Sequence, residues 1–209
     1  MRLVTFCLLG YLVEVDKIYL YPFGGISKFF LPLNFSFLKE FIILIAGPIF
    51  QFIMMFFLIK IFPDFSYYIK TYHYGMIIFN LLPIYPLDGG RLLQLIFSMV
   101  IPFKYSFIFT LYISYLLIII YFVFSINYLK LNSIFMFIFL LYKVSYYYFR
   151  VDNIYEKFLL ERYLYNYYFK RTKYIKNPKC FYKNRRHIIR IGSNYYTENE
   201  FLLKKYKNI

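Results

Sequence analysis

Residues 80 to 90 read NLLPIYPLDGG, and they lie between the apolar stretches YGMIIF (Tyr74–Phe79) and RLLQLIF (Arg91–Phe97). Pro83 and Pro86 each withdraw a backbone N–H and forbid a continuous helix, while Gly89 and Gly90 let another backbone or a ligand come close. Inside a membrane such broken backbone survives only where it is buried in protein or lines a wet cavity. Asp88 adds an ionisable side chain, which costs roughly 2.5–3.5 kcal/mol at a helix centre on insertion scales and marks a functional candidate by default. The stretch reads as a loop built to present one carboxylate.

The surrounding chain has the composition of a membrane protein. Of its 209 residues, 61% are hydrophobic and 26% aromatic, above the roughly 45–50% apolar content of soluble domains. FIILIAGPIFQFIMMFFLI (Phe41–Ile59) has no charge; as a helix it spans about 28 Å, enough for one crossing. FIFTLYISYLLIIIYFVF (Phe107–Phe124) predicts a second crossing and SIFMFIFLLYKVSYYYF (Ser133–Phe149) a third, ending in an aromatic belt. The segment from Tyr68 to Leu95, broken at NLLPIYPLDGG, lies between the first two.

At the N-terminal end, MRLVTFCLLGYLV (Met1–Val13) is followed by EVDK rather than a small-residue cleavage site, so it reads as a helix stub and not as a signal peptide. VDKIYLYPFGG (Val15–Gly25) predicts a short surface hairpin around Pro22, Gly24 and Gly25. Cys7 and Cys180 are 173 positions apart with no CxxC, so neither a disulfide framework nor a thiolate metal site is indicated.

Net charge is +15, and from Arg150 onward 15 Lys/Arg stand against 5 Asp/Glu. A basic segment beside a span stays cytoplasmic under the positive-inside rule and touches anionic lipid. In this segment IYEKFLLERYLYNYYFKR (Ile154–Arg171) predicts an amphipathic interfacial helix, HIIRI (His187–Ile191) with GSN and YY a hairpin, and Thr197 with Glu200 a capping box. No nucleic-acid-binding motif is present. The expected fold is an all-α polytopic membrane protein of about four crossings, with the helix stub, the surface hairpin and a small basic α+β tail. Residues 1–149 form the membrane-embedded part and 150–209 the cytoplasmic appendage.

The plainest account of Asp88 is a charge pair with Arg91, three residues on. Asn80 and the paired prolines weigh against it, because a salt bridge requires none of them. Together with IAGPIF (Ile45–Phe50) and YLYPFGG (Tyr19–Gly25), the NLLPIYPLDGG segment resembles the site-2 protease class of intramembrane zinc metalloproteases, in its bacterial sporulation branch. The resemblance runs in order through FLLERYLYN (Phe158–Asn166).

That resemblance implies a zinc cofactor held by two histidines of an HExxH helix and by Asp88, with the HExxH glutamate as general base. Asn80, Pro83, Pro86, Leu87 and Gly89 would receive substrate as an extended strand; Gly47 and Pro48 would pack the neighbouring crossing. The implied substrate is a membrane-associated pro-protein, such as a sigma-factor precursor, and sporulation relatives also have inhibitory membrane partners. The sequence departs from the pattern at one point: HExxH is absent, and the histidines are His73 and His187, 114 residues apart. It is therefore expected to be N-terminally incomplete and inactive as it stands, or a non-catalytic pseudoprotease that binds membrane-associated protein. His73 is expected to act as an interfacial hydrogen-bonder and His187 as a surface or packing residue. The tail, short for a full cystathionine-β-synthase-type unit, is expected to be a reduced substrate-docking appendage without a nucleotide site. A transporter would need a second interrupted segment, and none is present.

Overall fold

The computed structural model describes residues 15–21, 24–29, 33–125, 131–165, 167–169 and 171–206. The 1–13 stub and Pro22 lie outside them. Strands β1 (Val15–Tyr21) and β2 (Gly24–Phe29) pair antiparallel as the sequence predicts, with Tyr21 opposite Gly24 and Leu20 opposite Gly25.

Helices dominate the remainder. The first expected crossing is α1 (Phe37–Ile61), and it accommodates Pro48 in its interior. A 3₁₀ turn (Pro63–Phe65) leads into α2 (Ser66–Leu81), and the break at 82–87 separates α2 from α3 (Asp88–Val100). Then come α4 (Phe103–Ser125) and α5 (Leu131–Phe149), the second and third expected crossings, and α6 (Val151–Leu164). By length and apolarity α1 and α4 can each cross a membrane, and α5 joins them if it forms one span with α6, from which it is bent by 54°. Of the four expected crossings, the segment with the break does not meet that measure.

One hydrophobic cluster joins the break to the bundle. Ile84 and Tyr85 are buried with Phe107, Leu111 and Ile118 of α4 and with Leu140 and Val144 of α5. The Tyr85 ring is held edge-on by Phe107 at 5.0 Å and by Tyr147 at 4.7 Å.

The C-terminal unit has its own core. There β3 (Thr172–Ile175) pairs parallel with β4 (Arg186–Ile191), and β4 pairs antiparallel with β5 (Asn194–Thr197). The expected hairpin is thus present, turning at Gly192 with φ 63°, a conformation that glycine adopts freely. The parallel partner β3 was not foreseen. Helix α7 (Glu198–Tyr206) starts at the expected capping box, with Glu200 accepting from the Thr197 amide and Thr197 Oγ1 from the Glu200 amide.

The expected helix from Ile154 to Arg171 is corrected: α6 ends at Leu164, and Tyr165 is exposed. Its buried residues are Val151, Tyr155, Phe158, Leu159, Glu161 and Arg162, and Tyr155, Phe158 and Leu159 cluster with Ile175 and Ile189 of the sheet and Leu202 of α7. Phe103, at the start of α4, belongs to the same core: its ring stacks on Phe158 at 4.3 Å, and its amide donates to the Phe181 carbonyl at 2.8 Å.

Candidate functional site

The break accounts for all of its backbone donors. The Leu82 amide donates to the Phe79 carbonyl, Ile84 to Leu82, and Leu87 to Ile84. Tyr85 donates to Ser114 Oγ on α4 at 2.9 Å. The two remaining positions are Pro83 and Pro86, which have no N–H to satisfy. A buried unpaired amide costs about 1–3 kcal/mol, so the prolines are placed where a donor would otherwise need a partner. The Tyr85–Pro86 peptide is cis.

Gly89 and Gly90 fix how closely α3 returns on the break. A Cβ at Gly89 would lie 2.1 Å from the Leu81 carbonyl oxygen, and one at Gly90 would lie 2.4 Å from backbone atoms of Ile84 and Tyr85. No side chain fits at either position.

This tight return places Asp88 on the first residue of α3, where a negative charge is favoured by the helix dipole. Its carboxylate meets α1 at Gly47: a Cβ added there would be 3.6 Å from Asp88 Oδ2. The structure therefore brings Gly47, Asp88 and Gly89 together from two helices. Pro48 follows Gly47 in α1. Pro83, Pro86 and Leu87 line the same turn, half-buried. Asn80, at the end of α2, is half-buried. Gly24 and Gly25 sit on β2, opposite Tyr21 and Leu20 of β1.

Below Gly47 on the same face of α1, Gln51 is buried and donates from Nε2 to the His73 carbonyl at 3.4 Å. Of the His73 ring, Nδ1 is buried and has no hydrogen-bond partner among the described residues.

His187 is a packing residue, fully buried in the C-terminal core. Its Nε2 accepts from the Tyr182 amide at 2.9 Å, which puts the ring proton on Nδ1, 3.1 Å from Glu198 Oε2. Burial holds the imidazole below its usual pKa despite the hydrogen bond to Glu198. Burial raises the Glu198 carboxyl, but the His187 hydrogen bond and the Arg162 guanidinium outweigh it and leave it below its usual value.

Sequence reasoning missed the centre of this network, Arg162. Its guanidinium donates to Glu198 Oε1 at 2.7 Å, to Asn34 Oδ1 at 2.6 Å and to the carbonyls of Tyr182, Lys183 and Arg185. Neighbouring Glu161 accepts from the Leu33 amide at 2.6 Å and from Asn34. The signal was the ER pair inside FLLERYLYN, but its partners lie 20 to 128 residues away.

The donor set does not make up a zinc site. Among the described residues no three His, Cys, Asp or Glu side chains gather into a group that could hold a metal ion. Asp88 contributes one carboxylate, and His187 is committed in the C-terminal core. Zinc sites take three or four protein ligands.

No protein-family profile matches the chain. It is similar to stage IV sporulation protein FB of Bacillus subtilis (strain 168), with 32% identity over 159 residues, 72% of this chain and 55% of that protein. The chain thus spans about half the length of the curated relative it matches.

Proposed function

We propose that this chain is a member of the site-2 class of intramembrane metalloproteases, in its sporulation branch, and that it holds the substrate-receiving break and one acidic ligand of the site. The observation that carries this reading is the seat of Asp88 against Gly47, on a break with every donor satisfied and with glycines that admit no side chain. A structural ion pair requires none of this. Similarity to a sporulation protein over most of the chain supports the same reading.

The break belongs to a crossing. Both α1 and α4 begin against the C-terminal unit, through Asn34 bonded to α6 and Phe103 stacked on Phe158. The 25 residues of α1, about 37 Å long, support a return of the chain through α2 and α3 before α4 begins. This supports a reading of four passes, the second of them interrupted at Asp88. The basic unit from residue 150 then sits at one membrane face, in the cytoplasm by the positive-inside rule, and serves substrate docking or regulation.

The 209 residues contain no HExxH, so Asp88 would be a zinc ligand only beside histidines this sequence does not contain. As it stands the chain binds a membrane-associated pro-protein without cutting it. A photocrosslinker at Asn80 or Leu87 in the chain in nanodiscs is expected to capture a membrane-tethered sigma-factor precursor, leaving it intact. The same probe at Ile53, on the exposed face of α1, is expected to capture none. Equal capture at all three positions contradicts the reading, as does cleavage of the precursor by this chain.

A further inference from the structure

We propose that the outer face of the C-terminal sheet docks an acidic, extended segment of a partner protein. Side chains alternate across a sheet, and here the two faces differ sharply. His187 and Ile189 of β4 point into the core and are fully buried. The alternate positions, Arg186, Ile188 and Arg190, share the other face with Tyr174, opposite Ile188, and Tyr195, opposite Arg190. Tyr174 is 70% exposed and Tyr195 58%. Their rings meet edge-on at 6.5 Å, and the Arg190 guanidinium lies 5.7 Å from the Tyr195 centroid. Two ordered aromatic anchors between arginines lose little entropy on binding.

Charge selects the occupant. The strands TKYI, RHIIRI and NYYT contain no acidic residue. Glu200, just beyond β5, spends a carboxylate oxygen on the Thr197 amide. The exposed charge on the platform is therefore that of Arg186 and Arg190, which complements a carboxylate-bearing segment. A bilayer is disfavoured because contacts to α1 and α4 are made on the opposite side, through Lys183 to Glu40 and Phe181 to Phe103. Nucleic acid is disfavoured because base stacking needs an open, parallel ring surface, whereas these rings are perpendicular and Arg190 lies over one of them.

The test uses the whole chain in nanodiscs of neutral lipid, with fluorescence anisotropy of a labelled peptide alternating Glu and Leu. The peptide is expected to bind, and the double substitution R186E/R190E to weaken it about tenfold or more, the scale of two charged contacts. Y174A/Y195A should also weaken binding while the melting temperature stays unchanged, since both rings are exposed. Four results would each overturn the proposal: absence of binding, equal affinity after R186E/R190E, equal binding of a Lys-Leu peptide, and displacement by oligo-dT or phosphatidylglycerol vesicles. None involves proteolysis, so the protease reading can fail while this one stands.

Discussion

Gly89 and Gly47 are both small residues beside Asp88, yet their environments predict opposite outcomes. A methyl group at Gly89 overlaps the Leu81 carbonyl at 2.1 Å, and rigid backbone cannot yield as a side chain would. Gly89→Ala should cost about 1–3 kcal/mol, the range for forced overpacking, or more. Gly47→Ala makes an ordinary contact at 3.6 Å and should stay within about 0.5 kcal/mol of the parent. Thermal unfolding of both variants in detergent checks the contrast; equal stability of the two would show that α3 does not return on the break as described.

A second residue-level prediction concerns pH. The folded-state pKa of His187 lies below its unfolded value, so the unfolded chain binds the extra proton. Its contribution is therefore complete above about pH 6.5 and is lost as pH falls toward the folded value. Glu198, also lowered, contributes above its unfolded value of about 4.3 and is lost on further acidification. The C-terminal unit should melt at a lower temperature at pH ~5.5 than at ~7.5, with His187→Gln flattening that difference. A melting temperature that rises on acidification would contradict the tautomer assigned to His187.

Among the elements, local chemistry was readable and distant pairing was not. The break, the hairpin at β1 and β2, the turn at Gly192 and the capping box at Thr197 each depend on residues within a few positions of one another, so propensity and spacing identified them. The end of α6 at Leu164 did not follow from periodicity. The apolar spacing continues through Tyr165 and Phe169, but Arg162 must face Asn34, Tyr182 and Glu198 at once, and that demand comes from tertiary structure. The pairing of β3 with β4 has the same origin. At the candidate site, Asp88 and its glycines were legible from the cost of placing them in an apolar chain. The contact with Gly47, 41 residues earlier, was available only through a resemblance.

Arg162 is accordingly the most sensitive element-level position. Arg162→Met removes the partner of buried Glu198 and should cost roughly 3–5 kcal/mol, the range for breaking a buried pair. Arg162→Lys should recover only part of that, because three donors cannot serve the guanidinium's acceptors. Near-UV circular dichroism of the tyrosine-rich C-terminal unit would report the loss, with α4 and α5 still helical in the far UV. Full recovery by lysine would mean that charge alone, and not the fork of donors, holds the unit together.

At the scale of the whole molecule, the basic C-terminal unit is fastened to the bundle at the base of α1 and α4. Glu161 and Arg162 hold the Leu33–Asn34 segment, Lys183 pairs with Glu40, and Phe103 enters the C-terminal core. Asp88 is seated against the middle of the same α1, at Gly47. On the proposed reading the Asp88 carboxylate is a metal ligand once a helix carrying HExxH stands beside it. The direct measurement is zinc content of the chain fused to a helix carrying HExxH, compared with its Asp88→Asn variant. The variant is expected to lose zinc while accumulating in membranes at the level of its parent, because the amide keeps the shape of the side chain but is a poor zinc ligand. Unchanged zinc in Asp88→Asn, or loss of folded protein that Arg91→Gln restores, would contradict that reading.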